Sequence, residues 1–176
     1  MKENLKTAHY RNGTPISTGL SDSSWQITVI GAYAIYNDNS INDSIFGKVY
    51  NWYAVADSNG LCPTGWHVPS SDEWDTLNNY LGGDAFAGGA MKEIGITHWA
   101  SPNLGASDSS NFTGLPGGFR DDIGNCMLIG RLGQWWSSLQ YSNLGAISRN
   151  LYYNSKDLSR DFSRKTYGFS VRCVRD

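Results

Sequence analysis

The chain has 176 residues and a formal net charge of −2, and 40% of its residues are hydrophobic. This length is sufficient for one domain with a buried core, so we expect a single domain over residues 1–176. Nucleic-acid-binding domains usually present a basic face, and the slightly negative charge argues against that class. No apolar run reaches the roughly twenty residues that a membrane-spanning helix needs, so no membrane span is predicted.

Glycines and aromatic residues are abundant along the chain. Twenty glycines, seven tryptophans and ten tyrosines indicate a loop-rich, aromatic-rich fold rather than a helical bundle. Residues 1–26 are polar and contain turn signals. Residues 25–36 include the run ITVIGAYAIY, which is apolar and β-prone and therefore predicts a strand. Residues 47–55, GKVYNWYAV, predict a strand followed by a short helix.

The most informative stretch is CPTGWHVPSSDEWDTLNNYL, at residues 62–81. After a turn and a short extended arm, Ser70 and Glu73 have the spacing of a capping box, in which each side chain satisfies the free backbone N–H of the other residue. Trp74 and Leu77 follow at helical spacing, and a Gly-Gly pair comes after the last apolar residue. The sequence therefore predicts one amphipathic helix here, with its apolar face in the core.

The second half of the chain changes from helix to strand. A second short helix is predicted within residues 85–95, and a long loop rich in Ser, Asn, Gly and Asp covers residues 97–112. Such a long loop is unusual in a compact domain unless it has a function. Residues 128–136 predict a short strand. Residues 148–153 and 167–174 alternate polar and apolar side chains, which predicts the last two strands of an antiparallel sheet.

Three motifs in this order resemble the Fibrobacter succinogenes major paralogous domain: YNWYAV at residues 50–55, GWHVPSSDEW at 65–74 and GFSVRCVRD at 168–176. The resemblance extends over residues 4–176. It implies an α+β, C-type-lectin-like fold with two helices flanking small antiparallel β-sheets and long loops, one of them at residues 37–43. The opening strand of the family has no counterpart before Met1, which leaves open what covers the last strand near Val171.

The three cysteines are Cys62, Cys126 and Cys173, and an odd number leaves at least one of them unpaired within the chain. Their spacing alone does not select a pair. The resemblance implies a disulfide between Cys62 and Cys173, because lectin-like folds commonly join the start of the first helix to the last strand. Such a bond would require an oxidising compartment. The alternative is three reduced cysteines buried as small apolar residues.

No metal site, cofactor or catalytic centre is predicted. The calcium-binding motifs of lectins with this fold do not occur in the chain. Asp121, Asp122 and Asn125 are rich in oxygen but lack the spacing of a calcium loop, so we interpret them as a solvated turn. His67 is interpreted as a structural residue. The cysteines lack the close arrangement found in formylglycine-generating enzymes, and no nucleophile elbow or phosphate loop occurs, so we expect no enzyme.

Residues 137–165 carry the predicted binding surface. They are dense in Ser, Asn, Tyr, Arg and Asp, the composition of a binding paratope, in which Tyr supplies rigid contact area and Ser and Asn adapt their hydrogen bonds. The alternative is the polar outer face of a sheet with ordinary loops. The resemblance favours a ligand face, because lectin-like folds build it from the last part of the chain. The predicted ligand-binding residues are Tyr141, Asn143, Arg149, Asn150, Tyr152, Asn154, Arg160 and Asp161.

The predicted function is a non-catalytic module of a bacterial or phage surface protein or lipoprotein that recognises a protein or a glycan. A narrower version is a variable protein diversified by a retroelement, with its variable positions in residues 137–165. One alternative is a calcium-independent carbohydrate-binding domain in which Trp99 and Tyr141 stack on sugar rings. Another is a structural surface module without a small ligand.

The extracellular location follows from the family resemblance alone. Nothing at Met1 resembles a signal peptide. Either the sequence is a trimmed piece of an exported protein, or Met1 is the true start and export takes another route.

Overall fold

Five short α-helices and nine strands follow one another in the computed structural model, which describes residues 1–176. The helices are α1 (Asp22–Ile27), α2 (Ser40–Phe46), α3 (Trp52–Val55), α4 (Ser71–Tyr80) and α5 (Asp84–Met91). The strands are β1 (Tyr33–Ala34), β2 (Val49–Tyr50), β3 (Trp66–His67), β4 (Phe119–Arg120), β5 (Cys126–Met127), β6 (Leu132–Gln140), β7 (Gly145–Tyr152), β8 (Leu158–Arg164) and β9 (Val174–Arg175). The fold class is therefore α+β, with more helices than the two that the resemblance implied.

The strands form one three-stranded sheet and three two-stranded sheets. The large sheet has the order β6-β7-β8 and is antiparallel throughout. The small sheets pair β1 with β2, β3 with β9, and β4 with β5. In the large sheet Arg149 lies opposite Trp135 on one side and Arg160 on the other. Because side chains alternate along a strand, the side chains of these three residues point to one face of the sheet. Those of the adjacent residues in each strand point to the opposite face.

The helix α4 forms as its capping signal predicted. The Ser70 hydroxyl accepts a hydrogen bond from the Glu73 backbone N–H at 3.2 Å, and the Glu73 carboxylate accepts one from the Ser70 N–H at 2.8 Å. Trp74 is buried and packs in a core cluster with Trp135 and Leu151 of the large sheet. The cap therefore fixes where the helix begins, and the tryptophan fixes which side of it faces the sheet.

A disulfide joins Cys62 to Cys173, with the two Cα atoms 6.0 Å apart. This separation lies in the usual range for disulfides. Both cysteines belong to the largest core cluster, together with Tyr50, Trp136 and others. The bond links the segment before β3 to the segment before β9, and these two strands pair with each other. Cys126 is free and partly buried.

The N-terminal residues of the chain itself lie against the segment near Val171. The Leu5 N–H donates to the Val171 carbonyl at 2.8 Å. The Asn4 side chain donates to the Phe46 carbonyl and accepts from the indole N–H of Trp135 at 2.8 Å. The cover that the sequence left open is therefore supplied by residues 4 and 5.

The N-terminal third differs most from the sequence-based prediction. The strand predicted over residues 25–36 is wrong before Tyr33, because residues 22–27 form α1. Its N-cap Ser21 accepts a hydrogen bond from the Ser24 N–H at 3.2 Å, and this local cap outweighs the β propensity of the residues that follow. The loop predicted at residues 37–43 is largely helical, since Asn39 caps α2 in the same way.

The strand pattern near the C-terminus also differs from the prediction. The strand β8 was not predicted at all. Residues 167–174 do not form the continuous strand expected from their alternation, because successive residues bridge different neighbours. Gly168 bridges Arg120, Phe169 bridges Tyr50, and Ser170 bridges Trp135, so the segment threads between three parts of the fold.

Candidate functional site

One face of β7 attaches the large sheet to the helices. Leu151 packs in the core cluster that includes residues of α4 and α5. Arg149 is 2% exposed and donates to the Asp75 carboxylate of α4 at 2.5 Å. Arg149 was predicted to contact a ligand, and that assignment is corrected: the side chain is enclosed between sheet and helix.

The opposite face of the sheet carries a row of buried polar side chains. The Gln134 amide donates to the Ser148 hydroxyl at 3.2 Å, and this hydroxyl lies 3.4 Å from the hydroxyl of Ser163. The Asn150 amide donates to the Asp161 carboxylate at 3.2 Å. Asn150 is only 1% exposed, and its carbonyl oxygen has no hydrogen-bond partner. Burying an unpaired polar atom is unfavourable, and most of the polar groups of this row are therefore paired with one another.

A cleft of about 260 Å³ opens on this polar face. The polar part of its wall comes from all three strands of the sheet, as Gln134, Tyr152, Asp161 and Ser163. The rest of the wall is apolar or aromatic and consists of Phe119, Leu128, Leu132, Phe162, Tyr167 and Phe169. Beyond the cleft, Trp136 and Ala146 close the same face by packing into the largest core cluster.

The aromatic wall of the cleft is held by ring contacts. Phe119 makes edge-to-face contacts with Tyr167 and Phe169, with ring centroids 5.9 and 6.0 Å apart. Tyr167 and Phe169 stack with centroids 5.8 Å apart. Such pairs restrain one another. The wall is therefore a preformed surface rather than a set of loose side chains.

Asp161 gives the cleft a negative charge. It is exposed, its carboxylate accepts from the Phe162 N–H at 3.0 Å, and it forms no ion pair with any Lys or Arg. Burial raises the pKa of Tyr152, and the nearby Asp161 charge raises the pKa further. Burial and the Asp122 charge likewise raise the pKa of Tyr167, against the opposing charge of Arg164. Both phenols therefore stay neutral at physiological pH.

Two of the eight predicted ligand-binding residues line this cleft, Tyr152 and Asp161, and a third, Asn150, is buried and donates to Asp161. The others lie elsewhere. Tyr141 and Asn143 are exposed in the turn between β6 and β7, and Asn154 is exposed in the turn after β7. Arg160 is exposed, and it lies on the same face of the sheet as Arg149, its partner in β7. The ring of Tyr141 lies 4.2 Å from that of Phe162, centroid to centroid, which places it beside the cleft.

Sequence reasoning missed most of the cleft wall. Phe119 and Gln134 precede the predicted 137–165 segment, and Tyr167 and Phe169 follow it. One signal was available: Ser159, Asp161 and Ser163 alternate with bulkier residues, the pattern of a strand with one polar face. Assigning β8 from that pattern would have aligned these side chains with the polar face of β7.

Trp99 cannot stack on a sugar in this structure. It is 1% exposed, and its indole N–H donates to the Gly114 carbonyl at 2.9 Å inside the core cluster beside α5. The role that the carbohydrate-binding alternative assigned to Trp99 is therefore corrected.

The remaining polar candidates have structural partners. The Asp121 carboxylate accepts from the Ile123 and Asn125 backbone N–H groups and closes a turn. His67 is bonded to Asp176 at 2.6 Å and to Glu73 at 2.8 Å, which joins β3 to β9 and to the start of α4. No group of three or more His, Cys, Asp or Glu side chains is placed to hold a metal ion.

Comparisons with known proteins identify a family. A family model, the Fibrobacter succinogenes major domain, matches residues 1–175. Comparison with curated proteins and with solved structures gave no match. None of the helices combines the length and the apolar character that crossing a bilayer requires.

Proposed function

Because the chain belongs to the Fibrobacter succinogenes major domain family, we propose that it has the C-type-lectin-like architecture its motifs resemble and acts as a non-catalytic ligand-binding module. The observation that carries the proposal is the cleft on the polar face of the large sheet. The buried Gln134 amide and the exposed Asp161 carboxylate line it beside an aromatic wall, and the buried Ser148 and Asn150 are hydrogen-bonded to these two residues. A concave, largely apolar site with a few convergent polar groups is the usual form of a ligand site.

Two features support the lectin-like architecture. Residues 97–112 contain no helix or strand, in agreement with the long loop that such folds carry at this place. The disulfide Cys62–Cys173 links the segment before α4 to the segment before β9, the pairing that the resemblance implies.

The ligand is proposed to be a protein or a glycan, encountered at a bacterial cell surface or on a phage particle. The disulfide supports an oxidising location, since such bonds persist mainly outside the cytosol. The narrower proposal of a retroelement-diversified protein would place variable positions at exposed residues of β8, such as Arg160 and Asp161. Sequencing of the neighbouring genomic region tests it: a near-identical template repeat with adenine mismatches is expected, and its absence refutes the narrower proposal.

The second candidate is calcium-independent carbohydrate binding. The observation that favours it is the partly exposed ring of Tyr167 beside the Gln134 amide and the Asp161 carboxylate, because sugars combine faces that stack on aromatic rings with hydroxyl groups that need hydrogen bonds. Binding to a glycan that persists in a metal chelator would support this candidate. Binding to proteins alone would exclude it.

The test of the main proposal is a binding screen with matched variants. The native protein, a Tyr152→Ala/Asp161→Ala variant and an Asn154→Ala/Arg160→Ala control are screened against glycan arrays and purified surface proteins, with circular dichroism to verify folding. We expect a ligand that the cleft variant loses and the control keeps. Retention by both variants would refute the cleft as the site, and no ligand for any form would favour the structural module.

A further inference from the structure

The cleft has one formal charge, and it is negative. Of the 10 residues that line it, Asp161 is the only one with a formally charged side chain. Its carboxylate accepts N–H groups from Phe162 and Asn150, and no cation of the chain pairs with it. The nearby Arg164 instead donates to Asp122 at 2.5 Å. The charge of Asp161 is therefore available to a ligand, and it favours a cation.

The aromatic side chains of the cleft other than Phe169, which is 1% exposed, are also free to receive a cation. Ring faces carry negative potential and attract ammonium and guanidinium groups within about 6 Å. Elsewhere in the protein Lys and Arg side chains occupy such positions, for example Arg172 over Phe112 at 3.9 Å. None of these internal cations lies over a ring of the cleft, where the aromatic residues are Phe119, Tyr152, Phe162, Tyr167 and Phe169.

The size of the cleft limits what it can enclose. Its volume of about 260 Å³ lies just below the roughly 300–1,000 Å³ of pockets that bury a whole drug-sized molecule. An end group fits this space better than an extended ligand. Aromatic walls around one unpaired carboxylate form the arrangement that recognises alkylammonium and quaternary ammonium groups.

We propose that this cleft binds the ammonium end of the ligand, with Asp161 supplying the counter-charge and the partly exposed rings of Tyr152 and Tyr167 contacting the ammonium nitrogen and the carbon atoms bonded to it. The inference rests on the proposed function of the same cleft and adds the chemical class of the group it takes. A choline-like headgroup, a methylated amine and a primary alkylamine all carry this chemistry.

The probes are choline, methylammonium and the uncharged isostere of choline, 3,3-dimethylbutan-1-ol. Each is titrated into the ¹⁵N-labelled protein and followed by NMR. We expect saturable shifts of the Tyr152, Asp161 and Tyr167 amides with choline or methylammonium and none with the alcohol at the same concentration. Equal shifts with choline and the alcohol would overturn the proposal, because the cleft would then select apolar volume rather than charge. The absence of shifts with both choline and methylammonium would also overturn it.

The matched variants are Asp161→Asn and Asp157→Asn. The first removes the charge but keeps a hydrogen bond to Asn150. The side-chain amide of Asn150 can flip to present either its N–H or its oxygen to the new asparagine, because that oxygen has no other partner. The second makes the same charge change in the exposed turn before β8. We expect Asp161→Asn to weaken binding of the cation roughly tenfold and Asp157→Asn to leave it unchanged. Equal effects of the two variants would overturn the proposal.

The binding screen separates this inference from the function on which it rests. Suppose that the screen finds a neutral ligand whose binding depends on Tyr152 and Asp161, and that choline and methylammonium cause no chemical-shift changes. The binding function would then stand, and the ammonium site would be overturned. Cation binding at the cleft together with an amine-bearing ligand from the screen would support both.

Discussion

Gly88 determines how closely α5 approaches the turn that joins β7 to β8. A Cβ atom at this position would lie 2.1 Å from the Asp157 carbonyl oxygen and 2.7 Å from that of Lys156. These are backbone atoms, so they cannot swing aside as the end of a side chain can. The adjacent Gly89 N–H donates to the Lys156 carbonyl at 2.9 Å, which shows that the helix rests directly on the turn.

We therefore expect Gly88→Ala to destabilise the protein although alanine is the better helix former. Overpacking of this kind costs about 1–3 kcal/mol. Loss of the hydrogen bond between Gly89 and Lys156 adds about 1 kcal/mol, and the higher helix propensity of alanine offsets about 1 kcal/mol. The expected net loss is about 2 kcal/mol, which corresponds to a decrease of about 4–8 °C in Tm for a domain of this size.

Urea denaturation and thermal melting of Gly88→Ala measure this loss. The control is Ala85→Gly, on the exposed part of the same helix, which tests propensity alone and should cost about 1 kcal/mol. A stabilised Gly88→Ala would refute the reasoning, because it would mean that α5 and the turn are not in contact at this position.

Three further predictions concern the bonds that hold the site in place. Asp75→Asn should cost about 1–3 kcal/mol and Arg149→Met less, because the first leaves a buried cation without its counter-charge and the second removes the cation; urea denaturation of both variants tests this order. Reduction of Cys62–Cys173 should lower the free energy of unfolding by about 4–5 kcal/mol, since the bond closes a loop of 111 residues; a change below about 1 kcal/mol would contradict the expectation. Hydrogen bonds to Asp176 and Glu73 raise the pKa of His67 above its ordinary 6.5, so its contribution to stability should be complete below pH 6.5 and decline as the pH rises through the raised value. Thermal melts between pH 5 and 9 should show this decline in the native protein and not in His67→Gln.

The parts of the fold that the sequence predicted are those with local causes. The start of α4 follows from Ser70 and Glu73, which are three residues apart, and the strand and short helix at residues 47–55 follow from neighbouring residues too. The missed helix α1 also has a local cause, the Ser21 cap, but the β-prone run at residues 27–36 concealed it.

The cleft depends on contacts between residues far apart in the chain, so the sequence predicted it only in part. Tyr152 and Asp161 were identified by composition. Arg149, equally polar in the sequence, was assigned to the same surface because composition carries no information about which way a strand faces. Phe119 and Phe169 reach the cleft through pairings that no local pattern encodes, namely β4 with β5 and the bridge between Tyr50 and Phe169.

The two faces of β7 restrict how this surface can change during evolution. Substitutions on β8, at positions such as Asp161 and Ser163, alter the cleft while Arg149 and Leu151 keep the sheet attached to the helices. A one-residue insertion in β7 would exchange the faces, because side chains alternate along a strand. It would turn a charged arginine toward the cleft and an asparagine toward the tryptophan core. We therefore expect β8 to tolerate new side chains and β7 not to tolerate a new length, so that the specificity of the cleft can vary by point mutation without loss of the fold.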